Sequence, residues 1–134
     1  MTEVSREHLD AGVWGEKTAA RYLRRNGYRI LGRRVRVGRR DEIDIIARHR
    51  KTLVFVEVKT RRSEFFGRPA DAVDAHKRRV LSRAAVRYVG RLKNPRVFFR
   101  FDVIEVIGRP GDRQPGINHI ENAFTLDRRY TLPA

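Results

Sequence analysis

Asp44 and Glu57 stand thirteen positions apart, and Lys59 follows two residues later, in the stretch from 41 to 59 that reads DEIDIIARHRKTLVFVEVK. Two carboxylates and an ammonium at one point could hold a divalent cation and orient a water, as metal-assisted cleavage of a phosphodiester requires. The geometry follows if both apolar runs are strands. Side chains then alternate faces, so Leu53, Phe55, Glu57 and Lys59 share one side, and Glu42, Asp44 and Ile46 share one side of the preceding strand. Antiparallel pairing across a short turn sets Asp44 close to Glu57. On a solvated face a Glu-x-Lys is an ordinary cross-strand ion pair. Here the interrupted face is otherwise apolar, and two acids converging there repel each other unless a cation lies between them.

Two more residues break a pattern in the same way. Glu16 lies three, four and seven positions before Ala19, Ala20 and Leu23, on the apolar stripe of a first helix, so it should face the sheet. Lys77 falls between Val73 and Val80/Leu81 on the inward stripe of a second helix. Either alone reads as a side chain snorkelling from the stripe's edge. Together, flanking the same two carboxylates, they point to a site.

The elements that must position these groups follow an α-β-β-β-α-β order. The spacing predicts a helix over about Ala11 to Asn26, stopped by Gly27, then a strand over Tyr28 to Val37 leading into the basic turn Gly38-Arg39-Arg40. Strands over Glu42 to Ala47 and Leu53 to Thr60 form the hairpin. A helix over Ala70 to Arg91 ends at Asn94-Pro95, and Val97 to Ile107 is a long strand, paired in parallel through the helical crossover. A further short strand falls near Ile117 to Phe124. The expected fold class is α/β, with a mixed central sheet flanked by helices. The first ten residues, the stretch 108–116 and the last few residues read as loose.

The chain has 134 residues, with 31 Lys+Arg against 16 Asp+Glu and a formal charge of +15. Its sequence pI is near 11.4. A polyanionic partner follows, because each neutralised phosphate releases condensed counterions. No run approaches the ~20 apolar residues of a spanning helix, which sets a membrane partner aside. The N-terminus shows no apolar leader segment, so a cytoplasmic location is expected. The length fits one domain, 1–134, with a core over about 11–125. With no Cys, any metal must be held by oxygen or imidazole. His8, His49 and His76 read as surface residues, nothing in the spacing of His119 makes it a ligand, and Trp14 and Tyr22 read as core packing.

An ordered set of motifs runs through the chain: Gly15-Glu16 with Ala19 and Leu23, Gly27-Tyr28, Ile30-Leu31, Glu42-Ile43-Asp44, Phe55-Val-Glu-Val-Lys-Thr-Arg61, Gly67, Lys77, Arg100-Phe-Asp-Val103 and His119-Ile-Glu-Asn-Ala-Phe124. With it the chain, over about 12–125, resembles the YraN-like branch of the PD-(D/E)xK, restriction-endonuclease-like superfamily, similar in fold to archaeal Holliday junction resolvases. The resemblance implies a restriction-endonuclease-like core and a Mg²⁺-dependent (or Mn²⁺-dependent) endonuclease hydrolysing DNA, branched or repair and recombination intermediates included. DNA is implied before RNA, and a homodimer is compatible with it. Asp44 and Glu57, with the Val58 carbonyl, would hold the metal. Lys59 would orient or help deprotonate the attacking water, and Glu16 would act as a further carboxylate. Lys77 would contact phosphate or organise that water. Arg39, Arg40, Arg61 and Arg62 would track the backbone or else form a solvated basic turn. One departure is Asp41, where the branch usually carries Gly, an extra carboxylate expected to alter the turn or the charge beside Glu42 and Asp44. The alternative is a nucleic-acid-binding protein that uses the nuclease fold without cleaving, and a third is an accessory subunit for acidic protein partners.

Overall fold

A strand buried on both faces has no polar side to show, and Leu53-Val-Phe-Val56 reads that way. The computed structural model describes residues 3–62, 73–93 and 97–126, with side chains from residue 10 onward. In it this run lies in β3 (Thr52–Arg61), the middle of a five-stranded sheet. Around it lie β1 (Arg29–Val37), β2 (Asp41–His49), β4 (Phe98–Ile107) and β5 (Gly116–Phe124), in chain order across the sheet. β1, β2 and β3 pair antiparallel, β3 and β4 parallel, and β4 and β5 antiparallel. Helix α1 (Glu3–Arg25) precedes β1, and α2 (Ala75–Gly90) supplies the crossover between the parallel pair. This is the expected α/β class, a mixed sheet with helices on both sides and an additional strand, β5.

The sheet divides the core in two. On the α2 side Leu81, Ala84, Ala85 and Val89 pack on Ile43, Ile46, Leu53, Phe55, Phe101 and Val103. On the α1 side Ala19, Ala20 and Leu23 cover Ile45, Ala47, Val54, Val56, Ile104 and Val106. The split confirms the faces expected for β3. It departs from strict alternation in β2, where Ile43 and Ile46 both face α2. The pairing of β1 with β2 passes from Arg33↔Ile45 to Val35↔Ile43 in unbroken register, its one shift lying between Ile30 and Gly32, and Arg34, opposite Asp44, has φ 49, a left-handed conformation.

Four boundaries differ from expectation. α1 begins at Glu3, not near Ala11, because residues 3–10 contain neither Gly nor Pro to interrupt the helix. α2 begins at Ala75, capped by Asp74, whose side chain accepts from Lys77 N at 2.8 Å. His49 is not in the hairpin turn: it ends β2 and stacks on Tyr28 at 4.3 Å. β5 is a full nine-residue strand. The expectations for Gly67, the helix start at 70–72, Asn94-Pro95, the His8 side chain and the last few residues lie outside the described residues. Among the described residues no helix is long and apolar enough to cross a membrane.

Candidate metal centre

The ladder between β2 and β3 closes at Ile45↔Val56. One step further stand Asp44 and Glu57, and there the strands part: Val58 N donates to the Asp44 carboxylate at 2.8 Å where a main-chain carbonyl would otherwise accept. Glu57, on the α2 face with Phe55, is 4% exposed. Its Oε1 lies 3.5 Å from Lys59 Nζ and 3.6 Å from Lys77 Nζ, which reaches down from the first turn of α2. Its Oε2 is buried with no hydrogen-bond partner. Burial, and then the charge of Glu57, push the Asp44 carboxyl up to about 7, against the opposing pull of the Val58 amide and Lys77.

Glu16 arrives from the opposite side of the sheet. It is 8% exposed, and its Oε2 accepts at 2.8 Å from Nε of Arg34, the residue with the left-handed backbone in β1. Its Oε1 is buried and unpartnered, and its charge also raises Asp44. Gly15 permits this approach, because a Cβ there would collide with the Thr60 hydroxyl on β3. Five expected residues, Glu16, Asp44, Glu57, Lys59 and Lys77, therefore converge from α1, β2, β3 and α2.

Asp41 takes no part in the cluster. It is 2% exposed and held bidentately by Arg83 of α2, Nε to Oδ2 at 2.8 Å and Nη2 to Oδ1 at 2.7 Å. That hydrogen-bonded pairing, which outweighs burial, keeps its pKa below the usual carboxylate range. The extra acid thus ties β2 to α2 and adds no free charge beside Asp44. Arg39 and Arg40 are exposed in the turn before β2, and Arg62 is exposed just past β3, all at the Lys59 end of the sheet. Arg61 differs from them: its Nε is 2.8 Å from the buried Glu105 of β4, so it is fixed rather than solvated.

Two buried acids of β4 were not singled out from sequence. Glu105 pairs in register with Lys59 and also accepts from Asn118 Nδ2 at 3.3 Å. Asp102, fully buried, is bonded by His119 Nε2 at 2.7 Å, Arg100 Nε at 2.9 Å and the Asn122 amide at 3.0 Å. Arg100 also reaches the Tyr28 hydroxyl at 2.6 Å, and His119 Nδ1 meets the Tyr22 hydroxyl at 3.1 Å. Burial opposes ionisation of Asp102, but the His119 and Arg100 bonds prevail and its pKa is lowered. The signal was present in the sequence, since both acids interrupt an apolar strand as Glu57 does.

The α2-side cluster fits a hard divalent cation: two acids on adjacent strands, one orphaned carboxylate oxygen, and an Asp44 made basic by burial and then by its neighbour. Among the described residues no three carboxylate or imidazole side chains form a ready-made cage, so main chain and water would complete the shell. The model of a family described as "Uncharacterised protein family UPF0102" matches residues 15–106, a span containing all five clustered residues. A UPF0102 protein of Geobacter sulfurreducens is 48% identical over 124 residues, covering 92% of this chain and 95% of its own. A UPF0102 protein of Syntrophotalea carbinolica is 47% identical over 123 residues, covering 90% and 96%. With these matches spanning nearly the whole of each relative, the chain belongs to the UPF0102 family, the YraN-like family its motifs resemble.

Proposed function

We propose that the protein is a metal-dependent endonuclease of the PD-(D/E)xK type, hydrolysing phosphodiester bonds in DNA, branched or repair and recombination intermediates among them. The observation that carries this is the buried, unpartnered Glu57 Oε2 beside an Asp44 whose proton affinity is raised by burial and then by the charge of Glu57. A purely structural ion pair has no use for that arrangement, since an orphaned buried oxygen costs about 1–3 kcal/mol.

Asp44, Glu57 and the Val58 carbonyl would hold Mg²⁺ or Mn²⁺, which when bound supplies Lewis-acid polarisation of a phosphoryl oxygen and an acidified water. Lys59, beside Glu57 Oε1, orients the attacking water and offsets the negative charge that grows on the phosphorus oxygens. Lys77 reaches the same oxygen from α2 and contacts the phosphate from the other side. Glu16, whose Oε1 has no partner and whose charge is felt at Asp44, would serve as a further carboxylate of the site. Arg39, Arg40 and Arg62 follow the backbone beyond the scissile phosphate, while Arg61 is anchored beside them by Glu105. A cytoplasmic location belongs to the same reading.

A non-cleaving binder on the same fold is the second reading, favoured by the two lysines that already face Glu57 Oε1. The deciding test is a cleavage panel of branched, single-stranded and duplex DNA with Mg²⁺ and Mn²⁺, run beside Glu57→Ala and Lys59→Ala. Cleavage by the wild type that both variants lose supports the enzyme. Absence of cleavage on every substrate, or cleavage that survives Glu57→Ala, overturns it.

A further inference from the structure

On α1, one helical face round from Glu16, Trp14, Arg21, Tyr22 and Arg25 recur at i, i+7, i+8 and i+11. The turn between β4 and β5 rises against this face and closes a cleft of about 320 Å³, with Arg113 and Gln114 on its far wall. The turn is shaped for the purpose. Asp112 Oδ2 accepts from Arg109 N at 2.8 Å, which engages its carboxylate with its own main chain, and Gly108 has φ +140. A Cβ on Gly108 would lie 3.3 Å from the Trp14 ring, so the glycine lets the turn seat against the indole.

The walls combine two kinds of recognition. Trp14 and Tyr22 are only partly buried and give aromatic surface to the cleft, with Tyr22 held rigid by its hydroxyl contact to His119 at 3.1 Å. Arg21, Arg25 and Arg113 are exposed, and none of them is paired with a carboxylate among the described residues. Aromatic faces for a base and guanidiniums for its phosphate match one nucleotide, and the volume sits at the low end of the roughly 300–1,000 Å³ of small-ligand pockets. A base within a duplex has both faces covered by its neighbours and its edges paired, so only an unpaired nucleotide can enter.

The cleft adjoins the carboxylate centre. Gly108 N donates to Arg61 O at 2.8 Å, and Trp14 precedes Glu16 by two residues, next to the Gly15 contact with Thr60. We infer that the Trp14/Tyr22/Arg113 cleft takes an unpaired nucleotide of the strand that runs on from the scissile phosphate. The substrate is then nucleic acid with a single-stranded segment next to the cleavage point, not continuous duplex. The strand's path rests on the nuclease reading; the cleft's preference for an unpaired nucleotide stands without it.

Trp14 is the chain's one tryptophan, so intrinsic fluorescence reports on the cleft alone. The full chain is titrated without metal, at fixed ionic strength, with a thymidine decamer, a blunt duplex of equal length, a deoxynucleoside monophosphate and inorganic phosphate. The decamer is expected to quench Trp14 with a midpoint roughly tenfold below that of the duplex, as stacking of one base requires. The double variant Arg21→Ala/Arg113→Ala, altered only at exposed positions, should raise that midpoint about tenfold by removing phosphate contacts. Equal quenching by duplex and decamer, a midpoint unmoved by the double variant, or a monophosphate or inorganic phosphate as effective as the decamer overturns the inference. A wild type that cleaves nothing yet shows the expected quench removes the nuclease reading and keeps the cleft. One that cleaves continuous duplex at full rate with Trp14 unquenched does the reverse.

Discussion

Two acids, Asp102 fully buried and Asp44 half-buried, meet opposite fates. Asp102, on the α1 side, is surrounded by donors from His119, Arg100 and Asn122, and its pKa is lowered in spite of burial. Asp44 has one amide and a second carboxylate for company, and its pKa rises to about 7. A saturated acid acts as a structural pin. An acid left with a like-charged neighbour and an orphaned oxygen beside it keeps capacity for a cation, and the difference lies in the partners supplied, not in depth of burial.

The largest effect that would sharpen the contrast is on cleavage. Glu57→Ala should reduce metal-dependent hydrolysis to background while nucleic-acid binding stays equal or tightens slightly, because a repulsive carboxylate leaves the phosphate path. Lys59→Ala should also lose cleavage but bind slightly more weakly, and the opposite signs can be read in one filter-binding series. On the other face, Asp102→Ala should cost about 3–5 kcal/mol in urea unfolding, since it leaves the Arg100 guanidinium and the His119 ring without their acceptor. Glu57→Ala should cost far less by the same assay, and an equal loss would break the comparison.

The pH dependence of the metal-free protein should carry two slopes. Asp44 has a raised folded pKa, so its protonated form stabilises the fold below the unfolded value of 3.8, and that contribution is lost as pH rises toward about 7. Asp102 has a lowered one, so its contribution is present above the ordinary carboxylate range and lost as pH falls through its folded pKa. Asp44→Asn should flatten the first slope only and Asp102→Asn the second only, as read by denaturation at fixed pH values from 3 to 8. The smallest effect concerns neither acid: binding should weaken with salt at a log–log slope of about −4 to −5 if ~6 phosphates are contacted. A nearly flat salt response would detach the +15 charge from the site.

Most of the centre was legible because its residues violate local patterns: an acid on a helix's apolar stripe, an acid and a lysine on an apolar strand face. Period two placed Glu57 and Lys59 correctly on the α2 side with Phe55. It could not show the break in alternation between Ile43 and Ile46, both of which face α2. Asp41 was expected to alter the turn or the charge beside Glu42 and Asp44, and sequence could not show that Arg83, 42 positions away on α2, holds its carboxylate. The Asp102 network was missed for the same reason: the acid was visible, while its saturation depends on His119 and Asn122 brought in from β5 beside Arg100. Trp14 and Tyr22 were expected in the core, and they do pack against it, but with one side of each left to the cleft.

The central claim is that Asp44 and Glu57 form a cation site, and Mn²⁺ binding followed by electron paramagnetic resonance tests it most directly. At pH 7.5, without nucleic acid, the wild type should sequester one Mn²⁺, with affinity falling as pH drops below about 7 and Asp44 takes up its proton. Glu57→Gln, which keeps the shape and removes the charge, should lose that ion while remaining folded. Mn²⁺ bound equally well by Glu57→Gln and Asp44→Asn, or no ion bound by the wild type, would contradict the account.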